Sequence, residues 1–482
     1  MIVFDFNKST KKIIIKIDCR DTFENLREYF SVEDKSAAFT QRRFNTRRIK
    51  VSTRKYVITP TGLCDLGLFW EIRKYFILKQ ITDHIEITDA LQAALDKGTK
   101  EPIYTDFKLK LRDYQTDVIH KAMKAGCGTC VLGTGAGKTL LTAALIENYY
   151  RNSRNKGTFK CIMIVPDLGL VEQTFNEFLT FGVTFKTTRW TGKNIPELES
   201  NVIICNAQIL QSQYKSSEWV KYVDLLVVDE CHKVKPSNEI SKIISSIKTY
   251  NRYGFTGTLP EDSLDKWFII GKLGPILYEK NSHSLRLENY LTNVEVKILN
   301  LKHLLPIIPK ITDSEYRNEL NYIYTHEKRN KLIGQLSNKL NNNTLILVNH
   351  LIHGENLLSI LKDICTDKLV FFIRGDVEVG EREKIKKLME TNDNVICIAM
   401  SAIFSTGVNI KNLHNILFVS GGKSFIRTVQ SIGRGLRLHA NKSKLIIIDL
   451  CDNLHYSSKH SEKRKEIYNT EKIQYSEKAI DI

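Results

Sequence analysis

The stretch CVLGTGAGKTLLTA, Cys130 to Ala143, decides the fold. Thr129–Leu132 is short and apolar, as a buried strand is, and LLTAALIENYY, from Leu140, has helical apolar spacing. In the turn between them, Gly133, Gly135 and Gly137 leave the backbone free to fold tightly and point its N–H groups inward. Such donors, gathered where a helix starts near Lys138, suit a phosphate, with Thr134 and Ala136 completing the cradle. Lys138 reaches the β- and γ-phosphates, and Thr139 offers a hydroxyl to Mg²⁺. Leu132 replaces the first glycine of the pattern G-x-x-x-x-G-K-[ST]. The turn specifies a nucleotide but not the use made of its energy.

Composition narrows that use. The chain has 482 residues and a net charge of +17, with a pI near 9.2. This balance favours an anionic partner, most often nucleic acid. No run of 18 apolar residues is present, so no membrane span is expected. The first residues, MIVFDFNKSTKKIIIKID, alternate like strands and lack the apolar core of a signal peptide. Cys161, Cys205 and Cys397 lie in apolar runs, as reduced thiols of a cytoplasmic protein do. Cys127 and Cys130 form a C-x-x-C with no second pair nearby, which argues against zinc.

Four regions follow. Residues 1–97 read as a small α+β domain. It has strands at Met1–Phe6 and Lys12–Asp18, a helix at Thr22–Phe30, and the basic stretch TQRRFNTRRIKVSTRKY. Between Asp34 and Asp65 there are eight Lys or Arg residues and no Asp or Glu. Arg42, Arg43, Arg47 and Arg48, interleaved with Phe39, Phe44 and Tyr56, suit phosphates and stacked bases. Residues 98–300 alternate strands and helices, with apolar runs at Cys161–Val165, Asn201–Asn206 and Leu225–Val228. Residues 301–450 do so again, and residues 451–482 read as a charged C-terminal helix. The fold class is therefore α/β, two parallel-sheet domains in tandem behind a small α+β domain.

LLVVDECH, Leu225 to His232, supplies the acids that a nucleotide site needs, at the C-terminal end of a buried strand. Asp229 suits Mg²⁺ and Glu230 suits the attacking water, with His232 coupling the site to its surroundings. In QSIGRGLR, the spacing of Gln430, Arg434 and Arg437 allows one helical face, from which an arginine can stabilise transition-state charge.

Taken in order, these segments resemble helicase superfamily 2 over roughly residues 107–450. Leu111-Arg112-Asp113-Tyr114-Gln115 looks like the adenine-reading segment, which assigns Arg112 and Gln115 to ATP. Thr256-Gly257-Thr258 looks like the coupling motif. Ser405–Ile410, with Thr406 and Gly407, resembles the motif that touches both strand and nucleotide, and QSIGRGLR resembles the arginine-finger motif. Asn409 stands where many members carry Asp, and Asn206 where Thr is common. The resemblance implies two RecA-like domains with ATP and Mg²⁺ in the cleft between them. It also implies strand contacts from Pro166, Gln173, Thr191, Gly192, Gln208, Asn349, His350, Arg374, Gly375 and Thr406. DECH, LRDYQ and SIGRGLR behind a short N-terminal domain look like the phage helicases that remodel branched DNA. They imply junction migration, fork regression and unwinding of RNA–DNA hybrids in the host cytoplasm, with recombination or single-strand-binding proteins as partners. An RNA helicase and a duplex translocase that leaves strands paired are the alternatives.

Overall fold

The computed structural model describes residues 1–33, 54–81, 84–96, 98–103, 107–192, 196–236, 238–260, 262–304, 308–374, 379–401, 410, 412–420 and 444–482. The chain divides into two compact units, residues 1–132 with 137–280, and residues 133–136 with 281–482.

Alternating apolar residues build the first strands. β1 (Ile2–Asn7) and β2 (Lys12–Ile17) pair antiparallel, with Ile2 opposite Ile17. β3 (Ser31–Glu33) and β4 (Arg54–Tyr56) form a separate antiparallel pair. β5 (Leu63–Asp65) and β6 (Ile85–Ile87) complete a mixed sheet in the order β5-β2-β1-β6. Its core, with Phe4, Ile13, Phe30, Ile72 and Phe76, also takes in Ile270 of the helix Ser263–Leu273. Gly67 permits that approach, because a Cβ there would stand 2.1 Å from the Ile270 carbonyl oxygen. Lys272 Nζ pairs with Asp65 beside it at 2.9 Å.

β7 (Cys127–Leu132), β8 (Cys161–Val165), β9 (Thr187–Trp190), β10 (Val202–Asn206), β11 (Leu225–Asp229), β12 (Arg252–Thr256) and β13 (Ile276–Lys280) form one parallel sheet. Its order is β13-β7-β12-β11-β8-β10-β9. β8 and β10 are buried at every residue, as strands covered on both faces are. Cys127 and Cys130 lie three apart on β7, so strand geometry sends them to opposite faces and they cannot share a metal. The second parallel sheet comprises β14 (Asn293–Lys302), β15 (Thr344–Val348), β16 (Leu369–Ile373), β17 (Val395–Met400), β18 (Asn415–Phe418), β19 (Lys444–Asp452) and β20 (Tyr475–Asp481). Its order is β16-β17-β15-β18-β19-β14-β20. The chain thus forms the tandem parallel-sheet α/β domains behind a small α+β region that the sequence predicts. Among the described residues, no helix is long and apolar enough to cross a membrane.

Two boundaries differ from the sequence reading. A division at residue 300 would cut β14, which pairs with β19 and β20 in the second sheet. The segment 451–482 is not a helix alone, because β19 runs to Asp452 and the helix His455–Thr470 leads into β20. β20 is a charged, exposed edge strand whose sequence lacks an apolar alternation, and pairing with β14 decides its conformation.

A buried ionic cluster closes the second sheet. Arg329 donates to Asp452 through Nε and Nη2, both at 2.9 Å, and to the Val419 carbonyl at 2.7 Å. His303 Nε2 lies 2.9 Å from the same carboxylate. Burial pushes the Asp452 carboxyl up, but the Arg329 charge and the hydrogen bonds outweigh it and hold it well below the usual range. Asp452→Asn leaves the guanidinium buried without its counter-charge, and should destabilise the second unit by about 3–5 kcal/mol in urea unfolding. Because the folded pKa is depressed, this contribution is fully present above about pH 4 and is lost as pH falls further. The difference between wild type and variant should narrow accordingly in acid.

Candidate functional site

The first sheet sets the site, because parallel strands end on one edge. Val131 of β7 is level with Thr256 of β12, and Phe255 of β12 with Asp229 of β11. The glycine-rich turn and the acidic strand end are therefore two strands apart, about 10 Å, on the same edge.

Gly137 takes a left-handed backbone, φ 71°, and opens the helix Lys138–Asn152 without any side-chain cap. The first N–H groups of that helix are the donors that an anion uses. Lys138 Nζ donates to the Leu132 carbonyl at 3.2 Å. Gln115, buried at the start of the helix Asp113–Ala125, bridges two neighbours. Its Oε1 accepts from the Arg112 N–H at 2.9 Å, and its Nε2 donates to the Gly137 carbonyl at 3.4 Å. The segment Arg112–Gln115 thereby touches the glycine-rich turn directly. Arg112 also donates to the Tyr114 hydroxyl at 3.1 Å.

At the end of β11, Asp229 Oδ1 accepts from the Glu230 N–H at 2.9 Å. Glu230 has φ 47°, a left-handed conformation that costs a non-glycine residue energy and aims its side chain off the strand. Its Oε2 lies 3.3 Å from His232 Nδ1, which is 2.8 Å from Thr256 Oγ1. The Thr256 hydroxyl donates its one proton to the Thr258 carbonyl at 2.7 Å, so Nδ1 is the donor toward Thr256. One hydrogen bond, His232 to Thr256, thus ties the DECH segment to the TGT segment, with the Glu230 carboxylate beside it. The uncapped helix start and Lys138 suit a polyphosphate. The Thr139 hydroxyl and the Asp229 carboxylate are hard oxygen donors of the kind Mg²⁺ takes.

The predicted strand contacts of this unit also share an edge. Pro166 follows β8, Thr191 and Gly192 follow β9, and Gln208 lies two residues past β10, three neighbouring strands. Gln173, on the helix Leu168–Phe181, donates to Glu177 at 2.8 Å. Asn206 caps the helix Ala207–Gln213 by accepting from the Ile209 N–H. In the second unit, Asn349 follows β15, and its N–H donates to Ser420 Oγ at 3.2 Å. Arg374 follows β16 and pairs with Glu355 at 3.3 Å. Arg42, Arg43, Arg47, Arg48, Gly375, Thr406, Gly407, Gln430, Arg434 and Arg437 lie outside the described residues. The Gln115 bond to Gly137 and the left-handed Glu230 were not legible in the sequence, since neither carries a pattern of its own.

Residues 108–261 match the family described as type III restriction enzyme, res subunit, and residues 327–439 match the helicase conserved C-terminal domain. The chain is 27% identical to the ATP-dependent DNA helicase uvsW of Enterobacteria phage T4, over 97% of this chain and 98% of that one. It is 23% identical to the DNA 3'-5' translocase XPB2 of Sulfurisphaera tokodaii, over 78% and 88%. The solved Hef helicase domain of Pyrococcus furiosus matches 74% of this chain and 98% of its own, with a TM-score of 0.53 at 15% identity.

A side chain at Gly137 should disturb the turn. A Cβ there would stand 2.7 Å from Gln115 Nε2, and the left-handed backbone would cost alanine about 1–2 kcal/mol. Gly137→Ala should weaken binding of a fluorescent ATP analogue by about tenfold. Urea unfolding, followed in parallel, should show the strain as about 1–2 kcal/mol of lost stability.

Proposed function

Because this chain belongs to the superfamily 2 helicases, and so hydrolyses ATP to drive a helicase, we propose that it remodels branched DNA. Junction migration, fork regression and unwinding of RNA–DNA hybrids are the reactions that this reading assigns to it. The observation that carries the reading is the end-to-end match to a phage DNA helicase, which takes in the N-terminal region as well as both α/β domains.

In this reading the turn from Gly133 to Gly137 cradles the triphosphate, with Lys138 on its terminal phosphates. Arg112 and Gln115 hold the adenine end, and Gln115 passes its position to the turn through the Gly137 carbonyl. Thr139 and Asp229 would hold Mg²⁺, which supplies charge neutralisation at the phosphates when bound. Glu230, aimed by its left-handed backbone, orients and deprotonates the attacking water. Gly407, Gln430, Arg434 and Arg437 act from the second α/β domain, the two arginines on developing transition-state charge. His232 couples the site to its surroundings, lying against Glu230 while bonded to Thr256. Pro166, Gln173, Thr191, Gly192, Gln208, Asn349, Arg374, Gly375 and Thr406 grip the phosphodiester backbone, giving little sequence preference and a steep salt dependence.

The spans 1–97, 98–300, 301–450 and 451–482 keep their proposed duties, with the boundaries moved as the strand pairing requires. The strands on either side of the basic stretch, β3 and β4, pair antiparallel, with Ser31 opposite Tyr56. The charge of the stretch suits a duplex or branch point. The similarity to an archaeal translocase supports a second reading, movement along duplex DNA without strand separation.

ATP turnover without nucleic acid, and with single-stranded DNA, duplex, a four-way junction and single-stranded RNA, separates these readings. Junction or fork DNA should stimulate most, and Lys138→Ala should abolish turnover. Stimulation by RNA alone would overturn the DNA assignment. Triplex displacement without strand displacement would select the translocase. Replacing Arg42, Arg43, Arg47 and Arg48 with Glu should weaken junction binding and lower the log–log salt slope by about 3–4, one unit or slightly less per lost phosphate contact.

A further inference from the structure

We propose that the second unit carries a pocket for one unstacked nucleobase of a bound strand, between the helix Glu315–Thr325 and the residues that follow β15. The inference rests on the nucleic-acid reading above.

Three rings form a column there. Tyr324 lies 4.9 Å from His353 at an interplanar angle of 22°, and 5.4 Å from His350 at 25°. The inner end is fixed. His353 is buried, with Nδ1 3.2 Å from Ser420 Oγ and Nε2 3.3 Å from Asn330 Oδ1. Burial, helped by the Arg329 charge, keeps its imidazole neutral. His350, at the other end, is exposed. Tyr324 and His350 line a cavity of about 150 Å³, together with Pro309, Ile311, Tyr322 and Ile352.

Size and chemistry select the occupant. The cavity is far larger than one water needs. It is well below the roughly 300–1,000 Å³ of a site that encloses a drug-sized ligand. One planar ring system fits where a whole nucleotide does not. The Asn321 amide lines the cavity and makes no side-chain hydrogen bond among the described residues, so it offers a donor and an acceptor to a base edge. Among the described residues no carboxylate lines the cavity, which offers a cationic ligand no counter-charge there. Lys310 adjoins Pro309, and Lys328 is exposed just beyond Thr325, as a phosphate-bearing strand requires. His350 follows Asn349 at the C-terminal end of β15, the edge where open parallel sheets meet ligands. Stacking accepts any base, so the pocket holds a strand without reading its sequence, and it takes only a base that has left its partner.

The test uses the full chain with two labelled strands of equal length, one of normal DNA and one abasic throughout. Affinity is measured for wild type, His350→Ala and His350→Phe. His350→Ala should weaken the normal strand by about tenfold, the scale of one stacked base, and leave the abasic strand unchanged. His350→Phe should restore binding. Equal loss on both strands would make His350 a backbone contact, and no loss on either would leave the column structural; each overturns the pocket. Displacement of neither strand by excess free nucleoside is expected, and a nucleoside bound at His350 without any effect on the strand also overturns it. DNA-stimulated ATP turnover of the wild type separates the two proposals. If turnover responds to DNA while the strand comparison shows no difference, the pocket alone fails. If turnover does not respond, the motor reading fails and takes the pocket with it.

Discussion

Parallel pairing of β7, β12 and β11 is the constraint on which the site depends. Parallel strands must end together, so the turn after β7, the threonine that ends β12 and the carboxylate that ends β11 arrive on one edge. Residues more than a hundred positions apart in the chain thereby come to the same edge, where two local sets of bonds hold them. The Gly137 carbonyl answers to Gln115, and Glu230 answers through His232 to Thr256.

The two units solve the same packing problem with different means. The first anchors its small N-terminal sheet to the helix Ser263–Leu273 through apolar packing, a glycine contact and one half-buried ion pair. The second ties its last strands with buried charge. Asp452 at the end of β19 holds Arg329 and His303, and Asp449 three residues earlier takes Arg464 at 2.9 Å and the Tyr468 hydroxyl at 2.9 Å. Such pairs add little net stability over apolar packing, but their geometry admits one arrangement of the segments that carry them. The segments so fixed include the end of β18 and, through Ser420, both Asn349 and His353. The exposed ring of His350 is therefore held on a rigid base.

The nucleotide-site candidates were legible in the sequence because they sit in short, contiguous motifs whose chemistry is local. A glycine-rich turn after an apolar strand, and two acids at the end of another, need no tertiary information to be recognised. β14 and β20 were not legible. Each is decided by a partner far away in the chain, and β20 in particular has the composition of a solvated helix or tail. The aromatic column in the second unit was equally hidden. Tyr324, His350 and His353 come from different elements, with no spacing that marks them as a group.

The sequence by itself therefore determined the class of fold, the nucleotide chemistry and the order of the motifs, since these are properties of neighbouring residues and their periodicity. The tertiary structure alone decided which strand ends share an edge, where one domain passes into the next, and which rings stack. Those outcomes follow from non-local pairing and burial, whose energy resides in contacts between segments and leaves no periodic trace in either one.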